Sequence, residues 1–193
     1  MTQAAGPRFA SLSSERIVLR RFEPRDAPAL AGYRADPEVA RYQGWESCTL
    51  DEARRFVDSL EGADPGQAGV WFQFAISVTA AGPLVGDCAL RCRRRDPRQA
   101  ELGFTLARTV QGRGLATEAV SALLDWAFPA LALHRVFALV DLRNAPAQRL
   151  LDRLGFRREG VFVENEWFKG AWSSEVLYAV LAHEWQTRAK EAP

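Results

Sequence analysis

The stretch Gln111-Gly112-Arg113-Gly114-Leu115-Ala116-Thr117 limits what this chain can become more than any other. It lies between an apolar run ending near Leu106, which reads as a strand, and a run of helical periodicity beginning near Gly114. Glycines let backbone N–H groups approach a bulky anion, and the first turn of a helix offers amides that have no intrahelical partner. Together they make a phosphate cradle. The helix dipole adds only about 0.3–1 kcal/mol per well-placed charge, so the directed N–H groups matter more.

Spacing separates this loop from two others. A nucleotide-hydrolysing phosphate loop needs Lys and then Ser or Thr after its last glycine, and here Leu115 and Ala116 follow. A dinucleotide fingerprint needs Gly or Ala where Thr117 stands, and an acidic residue ending a second parallel strand about 20 residues later. Neither is present.

The elements around the loop can be taken in order. Ile17 to Phe22 reads as a strand, with Asp26 as cap of a helix running to about Ala35. A short helical piece carries Val39 and Tyr42, and Gln43 to Cys48 is a loop holding Trp45. Thr49 and Glu52 form a capping box before a helix ending near Glu61. Strands follow at Val70–Val78, Leu84–Cys92 and Glu101–Leu106. The turn holding Arg93, Arg94, Arg95 and Arg98 reads as a solvated hairpin end.

After the loop, Leu115, Ala119, Ala122, Leu123 and Trp126 make one apolar helix face, which Pro129 ends. Arg135–Val140 is a strand, and Asn144 caps a helix whose apolar face is Ala147, Leu150, Leu151 and Leu154, with Gly155 as terminator. Strands near Phe156–Val163 and Glu175–Leu181 and a short polar helical tail close the chain. This order predicts an α+β fold, a mixed sheet with helices on its faces.

A chain of 193 residues suits one domain, since single domains commonly run about 50–250 residues. The boundaries read as a loose leader over 1–14, the domain over 15–185 and a polar tail over 186–193. A formal net charge of +1 supplies no global field for nucleic acid or an anionic membrane, and neither partner is expected. Cys48, Cys88 and Cys92 lack metal-ligand or redox spacing, and their odd number argues against a disulfide framework. His134 and His183 are isolated, so no metal is assigned. No signal-like segment and no run of about 20 apolar residues occurs, which predicts a soluble, cytoplasmic protein.

The strand Ala100–Phe104, the loop and helix start Gln111–Ala119, Asn144, and Leu154–Gly160 together resemble the GNAT acetyltransferase superfamily. Val39–Tyr42 with Trp45, and the closing Tyr178–Trp185, are similar to its subgroup that acetylates the N-terminal alanine or serine of ribosomal proteins. The resemblance implies a single twisted, mostly antiparallel sheet with helices on both faces, and acetyl-CoA as co-substrate. By position it implies acyl-donor contacts from backbone groups of Phe104, Thr105 and Leu106. The diphosphate falls on the stretch Gln111, Gly112, Arg113, Gly114, Leu115, Ala116 and Thr117. It gives Asn144 a coenzyme contact, with Arg149 as a further phosphate ligand, and Glu101 the role of general base. Tyr42 and Trp45 on one side and Trp172 on the other would wall the acceptor. A homodimer is a further possibility in such folds.

The base follows from amine chemistry. An N-terminal amine of pKa ~7.7–8.0 is about a tenth to a sixth neutral at pH 7, whereas a lysine at ~10.4 is neutral in fewer than about one molecule in a thousand. The difference is roughly 3.5 kcal/mol at ~1.36 kcal/mol per unit, so a base matters most for a lysine-like acceptor. The family's usual thiolate acid is a tyrosine at the position of Leu151, and the ribosomal-type subgroup often has serine at that of Ala147. Neither donor is present here, which leaves water, the attacking amine or Tyr178. The leading expectation is an N-acetyltransferase acting on a protein N-terminus or a small amine. The alternative is a non-catalytic sensor or assembly module that binds coenzyme A.

Overall fold

The computed structural model describes residues 9–191. Strands β1 (Ser11–Ser13) and β2 (Val18–Arg20) are followed by helices α1 (Ala27–Arg34), α2 (Pro37–Ala40) and α3 (Leu50–Ser59). Then come β3 (Trp71–Ser77), β4 (Leu84–Cys92), β5 (Gln99–Leu106), α4 (Leu115–Ala130), β6 (Arg135–Asp141), α5 (Ala145–Arg153), β7 (Arg157–Phe168), β8 (Ala171–Leu181) and α6 (Ala182–Glu191). The eight strands form one sheet in the order β1-β2-β3-β4-β5-β6-β8-β7. All neighbours are antiparallel except β5 and β6. This is the expected α+β architecture.

Burial follows from the two layers that cover the sheet. α4 lays Leu115, Ala119, Leu123 and Ala127 on one face, where they join Leu102, Leu106, Leu151 and Val176 in the larger core. On the other face, α1 and α3 cover Ala75 and Leu84 with Leu30, Tyr33 and Val57. β4, covered on both sides, is buried at all but one position, which is why its sequence lacks a clean alternation.

Several boundaries differ from the sequence reading. The leader is ordered from Phe9 onward: Ser11–Ser13 pair with Val18–Arg20, and Phe9 is buried against Phe72, Phe74 and Trp126. One aromatic side chain in a polar segment is enough to dock it. Met1 to Arg8 lie outside the described residues, as do the last two of the tail. The tail boundary at 186 falls inside α6, which is anchored by buried Trp185 donating its Nε1–H to Asp125 at 2.7 Å.

Asp26 makes no side-chain cap bond. Its buried carboxylate takes both Arg20 nitrogens, at 2.7 and 2.8 Å, and the Glu23 N–H at 2.8 Å, closing the strand-to-helix turn instead. Pro129 lies within the last turn of α4, which ends at Ala130. β7 and β8 run through the expected loop to Phe168 and from Ala171, so Trp167 and Trp172 sit on strands.

One feature of the sheet positions the site. β5 and β6 pair in parallel only through Gln99–Arg135, Ala100–Val136 and Glu101–Phe137, and then part. On its other side β5 stays paired with β4 from Ala100 to Leu106. The bonds Arg93 N–H to Gln99 O and Ala107 N–H to Val85 O mark the odd-numbered residues of β5 as those bonded to β4. The backbone groups of Phe104 and Leu106 therefore face the parting.

Candidate active site

The glycine loop lies where β5 ends. A single 3-10 turn over Arg108–Val110 leads to Gln111, whose Nε2–H donates to the Leu106 carbonyl at 2.9 Å and ties the loop to the strand. Gly112 and Gly114 both take left-handed backbone, φ +74° and +78°, which L side chains adopt only at a cost. Gly114 is the residue before α4 and has no side chain to cap it. The N–H groups of Leu115, Ala116 and Thr117 are thus left for an outside acceptor, since the first helical bond is Glu118 N–H to Gly114 O at 3.0 Å.

These amides open into a cleft of about 650 Å³. Phe104, Thr105 and Leu106 form one wall, Gln111, Gly112 and Gly114 to Thr117 the end, and Asn144, Ala147 and Arg149 of α5 the opposite wall. Tyr42 and its neighbours after α2 roof it. The roof is pinned by Arg108 to Asp36 at 2.9 Å and by Tyr42 Oη–H to the Arg143 carbonyl at 3.3 Å. Asn144 caps α5 by accepting the Ala147 N–H at 3.2 Å through Oδ1, which leaves its NH₂ without a protein acceptor among the described residues. One amide can serve helix and ligand at once.

Eleven of the predicted coenzyme residues thus line a single cleft; the twelfth, Arg113, does not. Its contribution is its carbonyl, which accepts from Arg16 Nη1 at 3.0 Å. Thr105 reaches the cleft, but its backbone belongs to the ladder with Asp87.

Glu101 is the last residue of β5 paired to β6, so it stands where the strands part. At about 3.3 Å per residue it lies some 10 Å along the strand from Phe104. It belongs to a transverse row, Trp71, Arg91, Glu101 and Phe137, one residue from each of four adjacent strands. Arg91 ion-pairs with Glu101 and stacks 4.7 Å over the Trp71 ring. Glu101 does not itself line the cleft, and the next row inward holds Gln73, Ala89 and Gly103, with the Trp71 ring packed over the bare Cα of Gly103. Beyond it, Asp87 is buried under α1 and accepts the Tyr33 hydroxyl. Burial raises the Asp87 carboxyl above its ordinary value, against the pull of Arg34 and the Tyr33 hydrogen bond.

The proposed aromatic wall does not form as a wall. Tyr42 lines the cleft, but Trp45 and Trp172 do not. Trp45 packs its ring on the Arg34 guanidinium at 4.3 Å, with Phe56 at 4.1 Å from the same group. Trp172 stacks edge-on against Trp167 at 5.5 Å and is 57% exposed on the β7–β8 hairpin. Tyr178 is buried in the larger core and does not line the cleft; burial, with Asp152 beside it, raises its hydroxyl further. Ala147 lines the cleft without a proton to give, and Leu151 is fully buried.

Sequence reasoning missed Arg16, Arg91 and Lys169. Lys169, at the hairpin tip, donates to the carbonyls of Ala40 and Trp45, each at 2.7 Å, and fastens the hairpin to the segment roofing the cleft. Arg91 was legible as the strand residue opposite Glu101 once a β4–β5 hairpin register is assumed. The partners of Arg16 and Lys169 lie some hundred residues away and left no local signal. Among the described residues no group of three or more His, Cys, Asp or Glu side chains could hold a metal, and no helix is long and apolar enough to cross a membrane.

Residues 16–157 match the model of the acetyltransferase (GNAT) domain. The chain is 33% identical over 177 residues to the uncharacterized N-acetyltransferase p20 of Bacillus licheniformis, covering 91% of this chain and 98% of that one. It is 27% identical over 180 residues to the [ribosomal protein uS5]-alanine N-acetyltransferase of Escherichia coli, covering 90% and 92%. A GNAT-family acetyltransferase crystal structure from Bacillus anthracis superposes with a TM-score of 0.81 at 28% identity, covering 90% of this chain and 99% of that one.

Proposed function

Since this chain belongs to the GNAT family and is an acetyl-CoA-dependent N-acetyltransferase, we propose that it transfers acetyl directly to an α-amine, that of a protein N-terminus. The diphosphate of acetyl-CoA rests on the amides of Leu115 to Thr117, and the acyl arm runs along Phe104 and Leu106 towards Glu101. A β5 amide facing the parting polarises the thioester carbonyl. The amine nitrogen attacks the carbonyl carbon, the C–S bond breaks, and the thiolate leaves. Glu101 takes the ammonium proton, directly or through one water.

The observation that carries the choice of acceptor is the state of the carboxylates on the sheet face around Glu101. Glu101 is paired with Arg91, and Asp141, which shares its face four residues beyond Phe137 along β6, is held by Arg143 at 2.9 and 2.7 Å. Hydrogen bonds from Arg143 hold the Asp141 carboxyl below the ordinary range, so it stays anionic but spoken for. Glu175, opposite Asp141 on β8, has no basic partner among the described residues but accepts from Asn165 Nδ2 at 2.6 Å, and a polyamine, with two or more ammonium groups, would need free carboxylates here. An α-amine carries one charge, and about a tenth or more of it is neutral at pH 7, so it makes little demand on a base already engaged by arginine. The likeness to an N-acetyltransferase named for a ribosomal-protein alanine supports the same reading.

The test is a panel of peptides with free N-termini, small monoamines and polyamines, each incubated with protein and acetyl-CoA and read by mass change of the acceptor. Acetylated peptides are expected. Modification confined to polyamines overturns the acceptor, and coenzyme binding without transfer to any amine would favour the sensor reading.

A further inference from the structure

Arg149 and Arg153 stand four residues apart on α5, hence on one face of the helix, and both line the cleft. Arg153 also lines a second groove of about 760 Å³, between β1 and α4, which shares Gly114 and Thr117 with the cleft. The two spaces meet at the glycine loop, and Arg153 stands on the wall of both. Of the other arginines lining the two spaces, Arg41 has Glu38, Arg108 has Asp36 and Arg16 has Glu118, while Arg188 stacks 4.7 Å over the Trp185 ring. Arg149 and Arg153 have none among the described residues. Like charges at this spacing repel and weaken a helix. Two unpaired guanidinium groups beside an amide cradle therefore point to an anion beyond the one the cradle takes.

Acetyl-CoA carries such an anion. Besides its diphosphate it bears a phosphate monoester on the ribose 3′ oxygen, largely a dianion near neutral pH because its second pKa is about 6. Guanidinium forks bind phosphate oxygens in pairs, and do so better than a single ammonium. We propose that Arg149 and Arg153 form the subsite for the 3′-phosphate and make the enzyme select coenzyme A over its dephospho form. The inference rests on the reading of the cleft as the coenzyme site. The amides hold the diphosphate, and the arginine pair, at the junction with the second groove, holds the third phosphate as it leaves the cleft.

The experiment is calorimetric titration of wild type, Arg149→Gln/Arg153→Gln and Arg149→Lys/Arg153→Lys with coenzyme A and with dephospho-coenzyme A. Glutamine is a good helix former at these exposed positions, so the fold should be retained. Wild type should prefer coenzyme A by at least about tenfold, a difference of ~1.4 kcal/mol. The glutamine variant should bring the ratio to within about twofold while its affinity for the dephospho form stays near wild type, and lysine should restore part of the preference. Equal loss for both ligands would assign the pair to the diphosphate and overturn the proposal, as would a wild type that binds both forms equally. A wild type that binds neither would overturn the coenzyme reading along with it.

Discussion

Glu118 is gripped twice by one residue: Arg16 gives it both its main-chain N–H and its Nε–H, each at 2.7 Å. The same guanidinium reaches the Arg113 carbonyl at 3.0 Å. The turn between β1 and β2 thereby braces both the first turn of α4 and the crest of the glycine loop, and it gives the Arg113 carbonyl a donor. The Arg16 side chain is 48% exposed, so the brace is worth only about 1 kcal/mol. Arg16→Ala should raise KM for acetyl-CoA roughly fivefold with kcat within about twofold. A fall in kcat at unchanged KM would show that the brace acts elsewhere.

The brace also has a pH signature. Burial opposes ionisation of Glu118, but the Arg16 hydrogen bonds outweigh it and hold the carboxyl below its ordinary value. A depressed folded-state pKa gives stability that is present above the unfolded value, about 4.3, and is lost as pH falls through the folded one. The gap in Tm between wild type and Glu118→Gln should therefore be widest near neutrality and close below about pH 4. A gap independent of pH between 3 and 7 would remove the ion pair as its cause.

Glu101→Gln keeps the shape of the side chain and abolishes its basicity. Turnover of the best acceptor should drop on the order of a hundredfold, within the range general bases contribute, while the Kd for acetyl-CoA stays unchanged. Arg91→Met should lower kcat as well, because it frees the carboxylate that Arg91 now holds in the Trp71–Phe137 row. Turnover unchanged in Glu101→Gln would take this carboxylate out of the mechanism.

Gly114→Ala places a Cβ on a residue at φ +78° and brings it to 3.4 Å from Arg16 Nη2. Left-handed backbone costs a non-glycine residue about 1–2 kcal/mol, which the loop can escape only by moving its amides. Because 3.4 Å is ordinary van der Waals contact, backbone strain sets the effect, and coenzyme affinity should fall by about tenfold in this variant and comparably in Gly112→Ala, at φ +74°. Unchanged affinity in both variants would show that the amides do not depend on left-handed backbone at these glycines.

Tyr33→Phe deprives the buried Asp87 of the hydroxyl it accepts from. Burial raises the Asp87 carboxyl, so its ionisation in the folded state costs stability that is intact below the unfolded value, about 3.9, and is lost as pH rises through the folded one. Without Tyr33 the charged form loses its partner. The variant should lose about 1–3 kcal/mol at pH 7, and less at pH 4, in urea denaturation. The same loss at both values would mean that packing, and not the carboxylate, is what Tyr33 serves.

Lys169→Met releases the hairpin tip from the Ala40 and Trp45 carbonyls. KM for a peptide acceptor should change severalfold while KM for acetyl-CoA changes by less than about twofold, since the diphosphate amides lie on α4. Identical changes in both would place the latch over the coenzyme instead.

What the chain spells out locally, it determined alone. The glycine loop, the Thr49–Glu52 box, the Asn144 cap and the apolar faces of α4 and α5 depend on residues a few positions apart, where helix geometry and turn sterics act. The cleft residues from Phe104 to Thr117 fall together for that reason, since a strand, a loop and a helix start are contiguous in sequence, whereas Asn144 and Arg149 join them only through the crossover from α4 to β6. The tertiary structure decided what depends on distant pairing. It docked the leader through Phe9, turned Trp45 onto Arg34, and buried Tyr178 away from the cleft. It also set Arg16 on Glu118 and Lys169 on Ala40, across 102 and 129 residues. A side chain's partner at such a remove is fixed by the register and parting of strands, and no local pattern in the sequence carries that information.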